Sequence, residues 1–270
     1  MHLESESHTM EIESEWMKQA KTIQKILEQG FENFAAGISD IEKAFDGGEP
    51  TLCCMDEGTP MGDMRSAGSG ILTSGEERQI FLAKLKASGL KDVTSNAGCG
   101  AASLYRERNN ITDKTVDEVA IEEAKRVAQE LGVPYKGHIT ELKRPTGFHN
   151  SRVVYVDGTG RFNPSKVSYL PQGFVVSRKY MSAQQALSEA WLAAKIAFGE
   201  HGFGKKFTQE KPFIVIAIGE ESGDLTATKI SDELRGFLDL EAAPEIDASR
   251  VKINSFNIPR RAEIPFEQAA

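Results

Sequence analysis

The chain is short of cysteine, short of positive charge and without long apolar runs, and each shortage removes a class of protein. Three cysteines in 270 residues, two of them adjacent at Cys53 and Cys54, cannot build a disulfide framework. They suit thiols in a reducing compartment, available to a metal or to chemistry. Lys and Arg number 32 against 40 Asp and Glu, for a formal net charge of -8. A nucleic-acid groove needs clustered basic side chains to meet phosphate, so nucleic acid is discounted as a partner. No apolar run approaches the roughly eighteen residues of a membrane helix. The stretch Met1 to Glu15 is acidic where a secretory signal would be basic and then apolar. The expectation is a cytoplasmic protein with no membrane partner. What the chain does have is 40% hydrophobic residues, enough to bury a core without staples.

Periodicity supplies the organisation. Trp16, Ala20, Ile23, Ile26, Leu27, Phe31, Phe34, Ile38, Ile41 and Phe45 recur at helical steps, with Gly30 and Gly37 as candidate breaks. Thr51-Leu52-Cys53-Cys54-Met55 reads as a buried strand, and the glycine- and proline-punctuated stretch 56–70 as a loop. A helix opening at Gly75 ends at Ser88-Gly89, Lys91 to Ser95 forms a second strand, and Cys99 begins another helix. Further helices are expected over Val116 to Leu131, Ala183 to Phe198 and Ala227 to Leu238, with strands at Ser151–Val156, Phe174–Ser177 and Phe213–Ile218. Asp157-Gly158-Thr159-Gly160 carries a hairpin turn signal. No internal repeat is visible. The order predicts an α/β fold with a mostly parallel central sheet flanked by helices and an N-terminal helical arm. The corresponding division is a flexible 1–12, an arm over 13–46, an α/β body over 47–240 that carries the chemistry, and a C-terminal arm over 241–270.

In parallel sheets ligands gather beyond the carboxyl ends of the strands. Cys54 closes the first strand and Cys99 follows the second, with Asp56 and Arg65 between them. Two soft sulfur ligands from neighbouring strand ends suit zinc. A lone cysteine at a strand end is more often a core residue, the reading taken for Cys53, which alternation points away from Cys54. Three positions before Cys99 stands Asn96, whose amide oxygen is a weaker zinc ligand than a histidine nitrogen. No phosphate-binding glycine fingerprint is present.

Cys54-x-Asp56, Arg65-x-Ala67-Gly68 and Cys99-Gly100-Ala101 resemble the β-class carbonic anhydrases. That family carries Cys-x-Asp-x-Arg, Arg-Asn-Ala-Gly and His-x-x-Cys-Gly-Ala in the same order. The specific likeness spans roughly residues 50 to 105, and the stretch Val153 to Arg161 and the N-terminal helix are similar in element order. The resemblance implies Zn(2+) held by Cys54 and Cys99, with Asn96 at the histidine position. Asp56 is then the residue that engages the metal-coordinated water or the metal itself. The implied reaction is hydration of carbon dioxide, or of carbonyl sulfide or carbon disulfide, in a homodimer or higher homo-oligomer acting on a small molecule. This sequence departs from the family twice. The arginine that pairs with the aspartate falls on Gly58, leaving Arg65 to substitute, and Asn96 weakens the metal site unless Asp56 or a histidine (His138, His149 or His201) completes it. Two other readings stay open: Cys99 as a metal-free nucleophile at a helix N-terminus, and an inactive dimeric scaffold whose site has eroded at Asn96 and Gly58.

Overall fold

The computed structural model describes residues 2–48, 50–60, 62–241 and 246–258. It is an α/β protein with two four-stranded sheets in which every pairing is parallel. The first sheet holds β1 (Thr51–Cys54), β2 (Met64–Ser66), β3 (Asp92–Asn96) and β4 (Tyr135–Ile139) in the order β2-β1-β3-β4. The second holds β5 (Val153–Asp157), β6 (Phe174–Val176), β7 (Phe213–Glu220) and β8 (Val251–Ile258) in the order β6-β5-β7-β8. The two orders are the same order repeated. Register makes the equivalence residue by residue: Leu52 faces Met64 and Val93 as Val154 faces Phe174 and Val215. Cys54 therefore corresponds to Val156, so a duplication invisible in residue identity is plain in topology.

The sheets meet at their β2 and β6 edges. The Ser177 amide donates to the Arg65 carbonyl at 2.9 Å, the Arg65 amide to Ser177 Oγ at 2.9 Å, and the Val175 amide to the Met55 carbonyl at 3.0 Å. These bonds satisfy edge groups that would otherwise invite pairing with another chain. The stretch 64–66, expected as loop, is strand because of this seam; three residues between glycines are too few to show a period. The expected hairpin after Asp157 is not formed, because β5 pairs in parallel on both sides. The Asp157 carboxylate instead accepts the amides of Thr159 and Phe162 and closes a tight turn.

Helices cover the sheets as alternation dictates. Val153, Tyr155, Ile214, Ile216 and Ile218 form one apolar face with α1 (His2–Ala36), through Ile23, Ile26, Phe31 and Phe34. Val154, Val156, Val215 and Ala217 point the other way, toward α5 (Ala183–Phe198) and α6 (Ala227–Glu241). Helix α1 is broken at Gly30, whose φ of 78° and ψ of 159° let the chain turn without a Cβ clash. Residues 2–12, expected to be loose, belong to α1, and part of the expected C-terminal arm is strand β8. Residues 259–270 of that arm lie outside the described residues. On the first sheet, α2 (Gly75–Ala87) and α4 (Val116–Leu131) pack over β3 and its neighbours. The start of α4 carries a reciprocal Thr115–Glu118 capping box and its end Gly132 in a left-handed conformation. Among the described residues no helix is long and apolar enough to cross a membrane.

Candidate metal centre

β1 and β3 are neighbours in the first sheet, so their carboxyl ends open side by side. From them Cys54 Sγ and Cys99 Sγ come within 3.9 Å of each other, both buried and neither in a disulfide. Two sulfurs bound at about 2.3 Å to one tetrahedral zinc lie roughly 3.8 Å apart, so the pair fits that ion. Cys54 Sγ accepts the Gly68 amide at 3.4 Å. Cys99 stands at the N-cap of α3 (Gly100–Arg108), with its sulfur beside the helix's first amides, those of Ala101 and Ala102 among them. The Cys99 thiol is held below its usual pKa, first by the hydrogen bond from Cys54 and then by these amides, against burial. Cys54 is pushed up by the same shared hydrogen bond and by burial. Of the two thiols, Cys99 is therefore the one more readily ionised.

Asn96 ends β3, and its buried Oδ1 has no hydrogen-bond partner, while its Nδ2 donates to the Ala97 carbonyl at 3.2 Å. A buried amide oxygen left unmet costs about 1–3 kcal/mol unless something else coordinates it.

Asp56 stands just past β1 and is 3% exposed. Its Oδ1 accepts the Gly58 amide at 2.8 Å, and Arg144 Nε reaches Oδ1 at 3.0 Å and Oδ2 at 3.1 Å. Arg144 is itself fixed by the carbonyls of Pro145 and Phe148. The guanidinium partner expected of Arg65 is therefore supplied by Arg144, 88 residues along the chain from Asp56. Arg65 is buried and turned to backbone: its guanidinium donates to the carbonyls of Cys54, Asp56, Thr59 and Gly62, tying together the segment that leads from β1 to β2. Gly58 explains the exchange. A Cβ there would lie 2.6 Å from Arg144 Cγ and 3.1 Å from Asp56 Oδ1. Residue 58 is bare because Arg144 fills the space.

Next to Asp56, the fully buried Glu57 carboxylate accepts from His149 Nδ1 at 2.9 Å, and Asp56 Oδ2 is 3.9 Å from the same nitrogen. Burial alone would lower the His149 pKa, but the Glu57 and Asp56 carboxylates outweigh it and raise the value, favouring the charged ring. Ligand atoms of Asp56, Glu57 and His149 all lie within 4.8 Å of one another, a buried group that could hold a metal ion. The two thiols stand beside this group rather than within it. Its acceptors are met here by Arg144 and by the His149–Glu57 hydrogen bond.

A cavity of about 460 Å³ opens onto this ensemble, lined among others by Cys99, Arg144, Phe148, His149, Lys195 and His201. Its far wall comes from α5 and the segment after it, so it lies between the two sheets' layers. A smaller cavity of about 220 Å³ reaches Glu57 and Arg65 and contains no thiol. His138 lies on β4, bonded through Nδ1 to Ser95 Oγ at 2.8 Å, and does not line the larger cavity.

Of the residues picked out by sequence, the structure brings the sulfurs of Cys54 and Cys99 together, sets the Asp56 carboxylate with Arg144, Glu57 and His149, leaves Asn96 at the strand end with an open acceptor, and turns Arg65 to the backbone. Arg144 and Glu57 were missed. The bare Gly58 signals that the aspartate's partner comes from elsewhere, but only the fold identifies the donor. Compared with protein-family models, curated proteins and solved structures, the chain shows no match.

Proposed function

We propose that the chain is a zinc-dependent hydratase of carbon dioxide or a related small electrophile such as carbonyl sulfide or carbon disulfide, built on the plan of the β-class carbonic anhydrases. The observation that carries this reading is the 3.9 Å separation of two buried sulfurs at adjacent strand ends. Cys54 and Cys99 would hold the ion, with Asn96 Oδ1 or Asp56 as the oxygen donor that accompanies them. When bound, zinc supplies Lewis acidity that makes water a competent nucleophile near neutral pH.

The chain's own groups then set the stage. Arg144 fixes the plane of the Asp56 carboxylate, so that it can accept a hydrogen bond from an attacking water in one orientation. The His149 Nδ1 proton is held against Glu57 at the edge of the cavity. Phe148 and Ile196 give the cavity apolar wall, which favours an uncharged substrate and thins the water around it.

Metal analysis together with stopped-flow hydration tests the reading, with Asn96→His as the comparison. One zinc per chain is expected, held more tightly in the Asn96→His protein. Zinc absent from both proteins would defeat the proposal.

A second reading has an observation of its own. Cys99, with its lowered thiol pKa, and His149 line the same cavity, an arrangement that also suits a metal-free thiol nucleophile. Alkylation of the metal-free protein as a function of pH distinguishes them: a slow Cys99 that titrates near the free-thiol value removes this second reading.

A further inference from the structure

Glu189 lies on α5, among the helices of the second sheet, and is 2% exposed. Its neighbours on the buried face of that helix include Ala186, Ala190 and Ala193, an apolar setting in which a carboxylate is retained only if its oxygens are met. They are met largely from the other sheet. Oε1 accepts from Ser66 Oγ at 2.6 Å and from Gln185 Nε2 at 2.8 Å, and Oε2 accepts the Ala67 amide at 2.8 Å. These bonds grip the first residues of the turn that follows β2.

That turn is unusual in its backbone and close to the sulfurs. Gly68 (φ 55°, ψ 34°) and Ser69 (φ 58°, ψ 35°) are both left-handed, a conformation Ser rarely takes unless its surroundings impose it. Ser69 Oγ is pinned to the Thr94 carbonyl at 2.7 Å. A Cβ on Gly68 would lie 2.4 Å from Ile71 Cγ2 and 3.4 Å from Cys99 Sγ, so the turn fills a gap of fixed width beside the thiols. The result is the Gly68 amide aimed at Cys54 Sγ.

We infer that Glu189 is a positioning residue for the thiol pair: reaching across from the second sheet, it fixes the Ser66–Gly68 turn and so holds the Gly68 amide on Cys54 Sγ, setting the direction in which that sulfur donates to a metal. The inference rests on the metal reading proposed above. It makes the site a joint product of both sheets, since β1 and the segment between β3 and α3 supply the sulfurs and α5 supplies the clamp.

The test uses the full chain loaded with cobalt(II) in place of zinc, reading both affinity and the near-ultraviolet thiolate-to-cobalt charge-transfer band. Glu189→Leu is expected to weaken cobalt binding roughly 10- to 100-fold and to shift the band, as loss of an outer hydrogen-bonding partner does at metal sites. Glu189→Gln is expected to stay close to the parent protein, because the Ser66 hydroxyl and the Gln185 amide can both reverse their roles. A general loss of stability would not move the band in one variant and spare it in the other. If Glu189→Leu does not fold by circular dichroism, Ser66→Ala decides: a smaller loss of affinity with a shifted band supports the inference. Parent-like affinity and band in the deciding variant, or a Glu189→Gln protein as impaired as Glu189→Leu, would overturn it while leaving the metal reading intact. A parent protein with no thiolate band would remove both.

Discussion

Gly58 and Arg144 compete for one volume, and a double-mutant cycle on the pair tests the rebuilt aspartate clamp. The Arg144 side chain is 7% exposed and that of Asp56 3%, so Arg144→Ala strands a buried carboxylate with the Gly58 amide as its hydrogen bond and the His149 ring 3.9 Å away. Breaking a buried pair in this way costs about 3–5 kcal/mol. Gly58→Ala adds a methyl 2.6 Å from Arg144 Cγ. Its backbone lies outside the left-handed region, so crowding alone opposes the substitution, at about 1–3 kcal/mol. With Arg144 removed the closest contact disappears, leaving Leu142 Cβ and Asp56 Oδ1, each at 3.1 Å. The alanine at 58 should then cost much less, giving a favourable coupling of about 1–2 kcal/mol between the two substitutions. Urea titrations of the four proteins, followed by tryptophan fluorescence, measure it. Strict additivity, with Gly58→Ala equally costly in both backgrounds, would refute the claim that residue 58 is bare to admit the arginine.

The Glu57–His149 pair carries a pH signature. Because the folded-state pKa of His149 is raised, its contribution is fully present below the unfolded value of about 6.5 and fades as pH rises through the folded value. In chelator-treated protein the stability gap between the parent and Glu57→Gln should therefore be wider at pH 6 than at pH 9; a gap that widens with pH contradicts the assignment. Phe31 is 1% exposed between Phe34, Tyr155 and Phe256, so Phe31→Ala should cost about 3–5 kcal/mol in thermal or urea unfolding. A loss under about 1 kcal/mol would mean that α1 contributes little to holding the second sheet.

The parts legible in the sequence are those written in short-range pattern. Cys54 closes the apolar strand β1 and Cys99 follows β3 by three residues at the start of a helix, so two strands paired side by side in parallel bring their carboxyl ends together. The helices over Val116–Leu131 and Ala183–Phe198 were legible from period and caps and match the structure. Arg144 was not, because the segment after β4 has no period and its side chain reaches Asp56 only through the three-dimensional path of the chain. Glu189 was hidden for a different reason: on an alanine-rich helix it reads as a solvated charge, and only the edge-to-edge seam turns that face inward. The sheet duplication escaped because buried positions tolerate many apolar residues; Cys53 and Tyr155 occupy equivalent places and share nothing but concealment.

The Phe31 amide donates to Asn254 Oδ1 at 3.1 Å and the Lys252 ammonium to the Leu27 carbonyl at 3.0 Å, so the first helix is fastened to the last described strand. During synthesis α1 leaves the ribosome long before β8 exists. Its apolar stripe must wait, shielded by a chaperone or resting on provisional contacts, until some two hundred further residues have been added. Closing so long a loop is entropically slow, so Ile23, Ile26 and Phe31 gain their cover only as β5, β7 and finally β8 arrive.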